Sequence, residues 1–367
     1  MTDTPRRINL ALQGGGSHGA LTWGVLDRVL EDPRLAIGEI SGTSAGAMNA
    51  VALADGYQRD GREGARASLR RFWKAVSDST RYSPIRRGLW DRLWGRYSLD
   101  YSPGYLMAES LGRVFSPYDL NPLGLNPLRD LLLANVDFAN VNACEDIQVH
   151  VTATNVRTGR AKIFSRGAVT ADAVLASACL PQMSPAVEIE GEAYWDGGFS
   201  GNPALQPLVE SRVLDMLIVQ INPVVRHDVP RSAREIINRV NEISFNSSLL
   251  KELRTLNLFQ RLMAIEGVEP GAKRSAFIHL IHVDDDVQDL AASSKLNAEW
   301  DYLQLLFERG RRWADTWLDA NFDAIGQRST FDLDELFEEP KLRPAGTRRL
   351  IETEAEAPVR RRRRRAG

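Results

Sequence analysis

Gly42-Thr43-Ser44-Ala45-Gly46 sits behind a short apolar run and ahead of an Ala-rich stretch of helical character. Gly-x-Ser-x-Gly is how a chain builds a sharp strand-to-helix elbow with a hydroxyl at its apex. Glycine is needed on both sides because the elbow strains the backbone and presses it against neighbouring elements. By itself the pentapeptide also fits a serine in a Gly/Ala-rich turn. Two other segments decide between these readings.

On the N-terminal side, the apolar run Ile8-Asn9-Leu10-Ala11-Leu12 leads into Gly14-Gly15-Gly16-Ser17-His18-Gly19. Three consecutive glycines leave backbone N–H groups unshielded. Leu21, Val25, Leu26, Val29 and Leu30 then recur at helical spacing, so the loop opens a helix and suits an anion, either a phosphate or the oxyanion of acyl transfer. The order strand, glycine loop, helix, strand, serine elbow, helix predicts the start of a parallel sheet covered by helices. On the C-terminal side, Asp196-Gly197-Gly198 follows a predicted hairpin, Ala186 to Ile189 and Ala193 to Trp195, turning at Glu190-Gly191. Alone, an aspartate before two glycines also reads as a plain turn.

Together the three segments resemble the patatin-like phospholipase family over roughly residues 8 to 210. The resemblance implies that Ser44 is the nucleophile and that Asp196, 152 residues downstream, is its base and only partner. It implies an oxyanion loop at Gly14, Gly15, Gly16 and Ser17, with Gly42 and Gly46 shaping the elbow and Gly197 and Gly198 completing the aspartate motif. Ala176-Ser177-Ala178-Cys179-Leu180-Pro181 and Asn202-Pro203 are also similar to family blocks. Gln13 departs from the Asp of plant members and His18 from the Arg of many, in the manner of bacterial ones. The implied fold is a three-layer α/β one: a mainly parallel central sheet flanked by helices, with a helical cap insertion and C-terminal helices.

The chemistry can be argued from the residues. A serine hydroxyl is a poor nucleophile until a base takes its proton during attack. A carboxylate with an unperturbed pKa of about 3.9 is a weak base, and burial raises that value. Trp195 and Phe199 are the apolar neighbours expected to bury Asp196. Oxyanion stabilisation is the larger effect, since one lost donor costs on the order of 100- to 1,000-fold. Neither a metal nor a cofactor is required.

Two competing constellations are present. An α/β-hydrolase triad needs a histidine after the acid, and His279 and His282 lie in a predicted strand at Phe277–Val283. A strand histidine is more often structural, and Asp284-Asp285-Asp286 beside it reads as a solvated loop cap before it reads as a cation site. Gly14-x-Gly16-x-x-Gly19 with Glu39 formally matches a dinucleotide fingerprint, but the second strand runs straight into the serine elbow, which a nucleotide fold does not explain. Gly-Lys-Ser/Thr is missing, so the loop is not a P-loop either.

With 367 residues, 43% hydrophobic and 26% charged, the chain has an ordinary globular composition. A net charge of −2 gives no global reason to expect nucleic acid as a partner. Two cysteines, Cys144 and Cys179, make no disulfide framework, and no signal peptide or apolar span is visible, so a cytoplasmic protein is expected. The predicted division is a core at residues 1–210 containing a cap at 60–145, then C-terminal strands and helices at 211–325, then a disordered tail at 326–367. The cap carries Trp73, Trp90, Trp94, Tyr97, Tyr101, Tyr105, Phe115 and Tyr118 interleaved with Arg86, Arg87, Arg92 and Arg96. Helical patterns run from Ser232 to about Gly267 and from Ser294 to Phe322. The tail ends in Arg360–Arg365, an arginine run suited to anionic lipid. A lipid acyl hydrolase, resting peripherally on membrane through cap and tail, is the expected function. Hydrolysis of other esters such as intracellular polyhydroxyalkanoate, and a catalytically silent lipid-binding regulator, are the alternatives.

Overall fold

The computed structural model describes residues 4–88, 91, 94–122, 124–226, 228–265, 276–282, 290 and 292–337, with 234, 264 and 292 by backbone alone. Trp90, Arg92, His227, Asp284–Asp286 and Arg360–Arg365 lie outside them. The described chain is an α/β structure around one sheet. In chain order its strands are β1 (Arg6–Leu12), β2 (Leu35–Gly42), β3 (Gln148–Asn155), β4 (Ala161–Phe164), β5 (Val187–Ile189), β6 (Glu192–Asp196), β7 (Asp215–Val219) and β8 (Phe277–Ile281). The helices are α1 (Gly19–Glu31), α2 (Ala45–Ser79), α3 (Pro103–Gly112), α4 (Pro117–Leu120), α5 (Pro127–Asn135), α6 (Phe138–Ala143), α7 (Ala171–Ser177), α8 (Gln206–Val209), α9 (Ala233–Ile265), α10 (Trp300–Asn321) and α11 (Leu333–Phe337).

The sheet runs β5-β6-β3-β2-β1-β7-β8, with β4 paired to β3 off this path. Strands β3, β2, β1, β7 and β8 are parallel, and β7 is buried along its whole length, as a strand covered on both faces must be. Registers on β3 explain how remote motifs meet. Val151 pairs with Gly42 and Phe164, and Ala153 pairs with Lys162 and Asp196, so β2 and β6 both lie opposite β4. Where β2 leaves the sheet at Gly42, β6 takes over the same edge of β3. The end of β6 therefore lands beside the elbow that follows β2.

Helix α1 packs against α10 through glycine. A Cβ on Gly24 would sit 2.0 Å from the Phe307 carbonyl oxygen, and one on Gly310 would sit 2.0 Å from that of Leu21. Trp23 fills the adjoining space, with its ring 4.2 Å from Phe307 and stacked on Trp73. Helix α2 breaks at Asp60-Gly61, where Gly61 has φ 53°, and its second half buries Ala65, Leu69, Phe72 and Trp73 in the main core. Residues 62–79 thus belong to the helical layer, and the exposed part of the predicted cap begins beyond them. There Trp94, Tyr101, Phe115 and Tyr118 face solvent, while Tyr97 stacks on Tyr302.

The predicted disorder fails for residues 326–337. The Gly326 amide donates to Asp215, Thr330 and Phe331 donate to the Ile278 carbonyl, and Leu333 is buried beside Phe331 and Leu336. Apolar residues spaced among the acids suffice to dock this stretch on β8 and α9.

Candidate active site

Ser44 occupies the turn between β2 and α2 with φ 53° and ψ −120°, a conformation rare for a residue with a side chain. The strain is held from several directions. The Ser44 amide donates to Ser177 Oγ at 2.8 Å, the Gly46 amide to the Thr43 carbonyl at 2.8 Å, and Thr43 Oγ1 to the Gly201 carbonyl at 2.7 Å. A side chain at Gly42 would meet Gly46 at 2.6 Å, and one at Gly46 would meet the Leu12 carbonyl at 2.2 Å. Ser177, fully buried at the end of α7, lies in a block that drew attention in the sequence without any role to assign.

Asp196 ends β6 with only 1% of its surface exposed. Its amide donates to the Cys179 carbonyl at 2.8 Å, and its carbonyl accepts from Thr154 Oγ1 at 2.7 Å, which locks the backbone. Oδ1 accepts the Gly198 amide at 2.7 Å, and the Ser44 side chain is the other donor that favours the ionised carboxyl. Burial pushes its pKa up to about 7, against the opposing pull of those two donors. Phe199 is 38% exposed and Trp195 half-buried, whereas Phe245 of α9 lies so close that a Cβ on Gly198 would be 2.2 Å from its ring. Phe245 comes from a helix with no motif to mark it.

The glycine loop lies directly against the serine, since a Cβ on Gly14 would be 2.8 Å from that of Ser44. Gly14 itself is not a free donor: its amide is spent on Asn202 Oδ1 at 2.7 Å. The amides of Gly15, Gly16 and Ser17 find no acceptor among the described residues. Gln13 sets the loop by accepting the amides of Ile221 and Asn222 at 3.0 and 2.9 Å and donating to Asn246 of α9 at 2.8 Å. Asn222 Nδ2 reaches the Gly14 carbonyl at 2.7 Å. Among the described residues neither Gln13 nor His18 hydrogen-bonds to the serine. His18 is buried 2.9 Å from Ser294 Oγ and edge-on to Tyr302, and burial, then Lys295 and Arg226, hold its pKa well below the ordinary value.

The competing histidines are committed elsewhere. His279 Nε2 is 2.9 Å from Asp215 Oδ1 and Nδ1 is 2.9 Å from Thr330 Oγ1, with Trp317 against the ring. It stands on β8, three strands from β2, or roughly 14 Å at ordinary strand spacing. His282 packs near Phe331, and His150 pairs with Glu39 at 2.9 Å, which takes Glu39 away from any ribose-binding role. A cavity of about 410 Å³ lined by Glu39, Gln148, His150, Ser165, Gln206 and Ser211 includes neither Ser44 nor Asp196. Among the described residues no cluster of histidine, cysteine and acid is arranged to hold a metal, and no helix is long and apolar enough to cross a membrane.

An α/β sheet with a strained serine between strand and helix, a buried acid from a second motif and a glycine loop defines a class of fold and site together. The chain belongs to the patatin-like phospholipase family, whose model matches residues 10–209. At the level of the family, this implies a lipid acyl hydrolase. Among solved structures the chain is similar to VipD from Legionella pneumophila, at 14% identity and a TM-score of 0.32, covering 83% of this chain and 67% of that one. It is also similar to ExoU of Pseudomonas aeruginosa, solved in complex with SpcU, at 15% identity and a TM-score of 0.29, covering 86% of this chain and 53% of that one. The chain thus spans about half the length of ExoU. No curated protein matches the chain.

Proposed function

We propose that the protein is a serine lipid acyl hydrolase in which Ser44 attacks the ester and Asp196 is the sole base. The observation that carries this reading is a buried Asp196 carboxyl, raised to about 7, that the sheet registers bring beside the serine elbow, where the Ser44 side chain stabilises its ionised form. A base near the working pH takes a proton with little uphill cost while remaining substantially ionised. As the Ser44 Oγ–carbonyl bond forms, the hydroxyl proton passes to Asp196. The tetrahedral oxyanion then meets the amides of Gly15, Gly16 and Ser17, with Gly14 supplying clearance and no donor. Collapse expels the alcohol, which recovers the proton. Water activated by Asp196 then releases the fatty acid.

Phospholipid is the proposed substrate class. The exposed Trp94, Tyr101, Phe115 and Tyr118, with Met183 near the hairpin, offer apolar groups to a membrane surface. The arginine run 360–365 is proposed to add attraction to anionic lipid. Fatty acid released from a lipid panel, with and without chelator, tests substrate class and metal independence together. Wild type is expected to cleave phospholipid in both conditions. Equal release by Ser44→Ala would remove the serine from the mechanism.

A further inference from the structure

Among the described residues, one cation beside the glycine loop has no ion-pair partner. Lys295 precedes α10, and its carbonyl lies so close to the loop that a Cβ on Gly16 would be 2.4 Å from it. Its Nζ donates to Asn222 Oδ1 at 2.7 Å. Asn222 in turn donates to the Gly14 carbonyl, so the ammonium is two hydrogen bonds from the residue that abuts Ser44.

The acid that faces Lys295 is Glu242 of α9, but Arg226 at 2.6 Å and Arg239 at 3.2 Å already hold that carboxylate, whose side chain is 4% exposed. Arg226 and Arg239 thus hold Glu242, and among the described residues Lys295 makes no ion pair. One of its three N–H groups is used, and on a neutral oxygen. Lys295 is half-buried, so its two remaining N–H groups are available to an anion arriving beside the loop. Burial, only partly offset by Glu242 and compounded by Arg226, lowers its pKa to about 8.

We propose that Lys295 forms an anion subsite flanking the glycine loop, taking the phosphodiester of a phospholipid whose acyl ester lies at Ser44. A phosphodiester fits because it is acceptor-only, singly charged and carried on the same glycerol as the ester. This rests on the reading of Ser44 as nucleophile. It adds that the enzyme distinguishes phospholipid from neutral glyceride through this one side chain. The opposing account is that Lys295 merely braces the loop through Asn222.

Lys295→Gln keeps a donor for Asn222 and removes the charge. Kinetics on a phosphatidylglycerol and on the diacylglycerol with the same chains, both in uncharged detergent micelles, separate the accounts. The variant is expected to lose about 10- to 100-fold in kcat/KM on the phospholipid, the scale of one charge-assisted hydrogen bond, with diacylglycerol within twofold. Equal losses on both substrates, or no loss on either, overturn the proposal. A second arm measures binding of a soluble short-chain phosphatidylglycerol to Ser44→Ala and to Ser44→Ala/Lys295→Gln, with thermal unfolding to verify the fold. Weaker binding in the double variant supports the subsite, and equal binding overturns it. Turnover retained by Ser44→Ala would strike the nucleophile reading alone.

Discussion

Asp196 and Glu39 are carboxylates on neighbouring parts of one sheet, and burial penalises the ionised form of both. At Glu39 that penalty is overcome by hydrogen bonds from His150 and Ser211 and by the Arg7 charge, so its pKa falls below the ordinary value. At Asp196 the opposing donors are an amide and a hydroxyl, with no cation among them, and the pKa rises to about 7. On the proposed reading, what separates the base from a structural acid here is the missing counter-charge. A histidine beside Asp196, as a hydrolase triad would use, would shift proton acceptance to the ring and let the acid stay ionised.

The strongest test exchanges each acid for its amide. Asp196→Asn is expected to lower kcat/KM on a short-chain ester by roughly 10,000-fold, the scale seen when a member of such a unit is removed. Glu39→Gln should stay within twofold of wild type. Comparable losses in the two variants would erase the distinction. In wild type, activity should climb with pH about a midpoint near 7 as Asp196 ionises, and Glu39→Gln should leave that midpoint in place.

Next in size is Gly198→Ala. The methyl would lie 2.2 Å from the Phe245 ring and 3.0 Å from Asp196 Oδ1, so either α9 or the acid must move. A displacement of about 1 Å at the base costs on the order of 100-fold in turnover. Pairing it with Phe245→Ala should recover part of the rate, and no recovery would mean that Phe245 does not set the position of the acid.

The same contrast shows how much was legible beforehand. The elbow, glycine loop and aspartate hairpin could be read because each needs particular residues at fixed local spacing. The runs 8–12, 148–155 and 277–283 likewise announced strands, the last of which ends at Ile281 among the described residues. Ser177, Asn202, Asn222, Phe245 and Lys295 could not be read the same way, because each acts across 133 residues or more of intervening chain or through a contact that no local pattern encodes. Gly14 shows the limit within a motif. The family resemblance implies an oxyanion donor there, yet Asn202 takes its amide. The cap was drawn from composition, which cannot tell that Phe72 and Trp73 turn inward after the break at Asp60-Gly61.

Stability offers a further separation with the opposite sign. Asp196 holds its proton in the folded state up to about pH 7, whereas the unfolded chain releases it near the ordinary value of 3.8. The protein therefore loses stability as pH rises through that window, because folding must then carry a buried charge. Asparagine carries none. Asp196→Asn should be more stable than wild type at pH 8, by a gap on the order of a few kcal/mol that closes toward pH 4. Denaturant melts at the two pH values measure it, and a gap independent of pH would mean that the acid is not desolvated.

Glu39 should behave in reverse, with the smallest effect of the set. Its pKa is lowered in the folded state, so its contribution is present above the ordinary value of 4.5 and is lost as acid drives the pH down through the folded one. Its side chain is 22% exposed, and its partner His150 is itself 2.8 Å from Ser165 Oγ, so water and a second hydrogen bond share the compensation. Glu39→Gln is therefore expected to cost about 1 kcal/mol at pH 7, near the net worth of one hydrogen bond. The difference from wild type should shrink below pH 4 in the same melts. If it instead grew on acidification, Glu39 would share the proton-holding character of Asp196, and the absence of a counter-charge could no longer be what makes one of these acids a base.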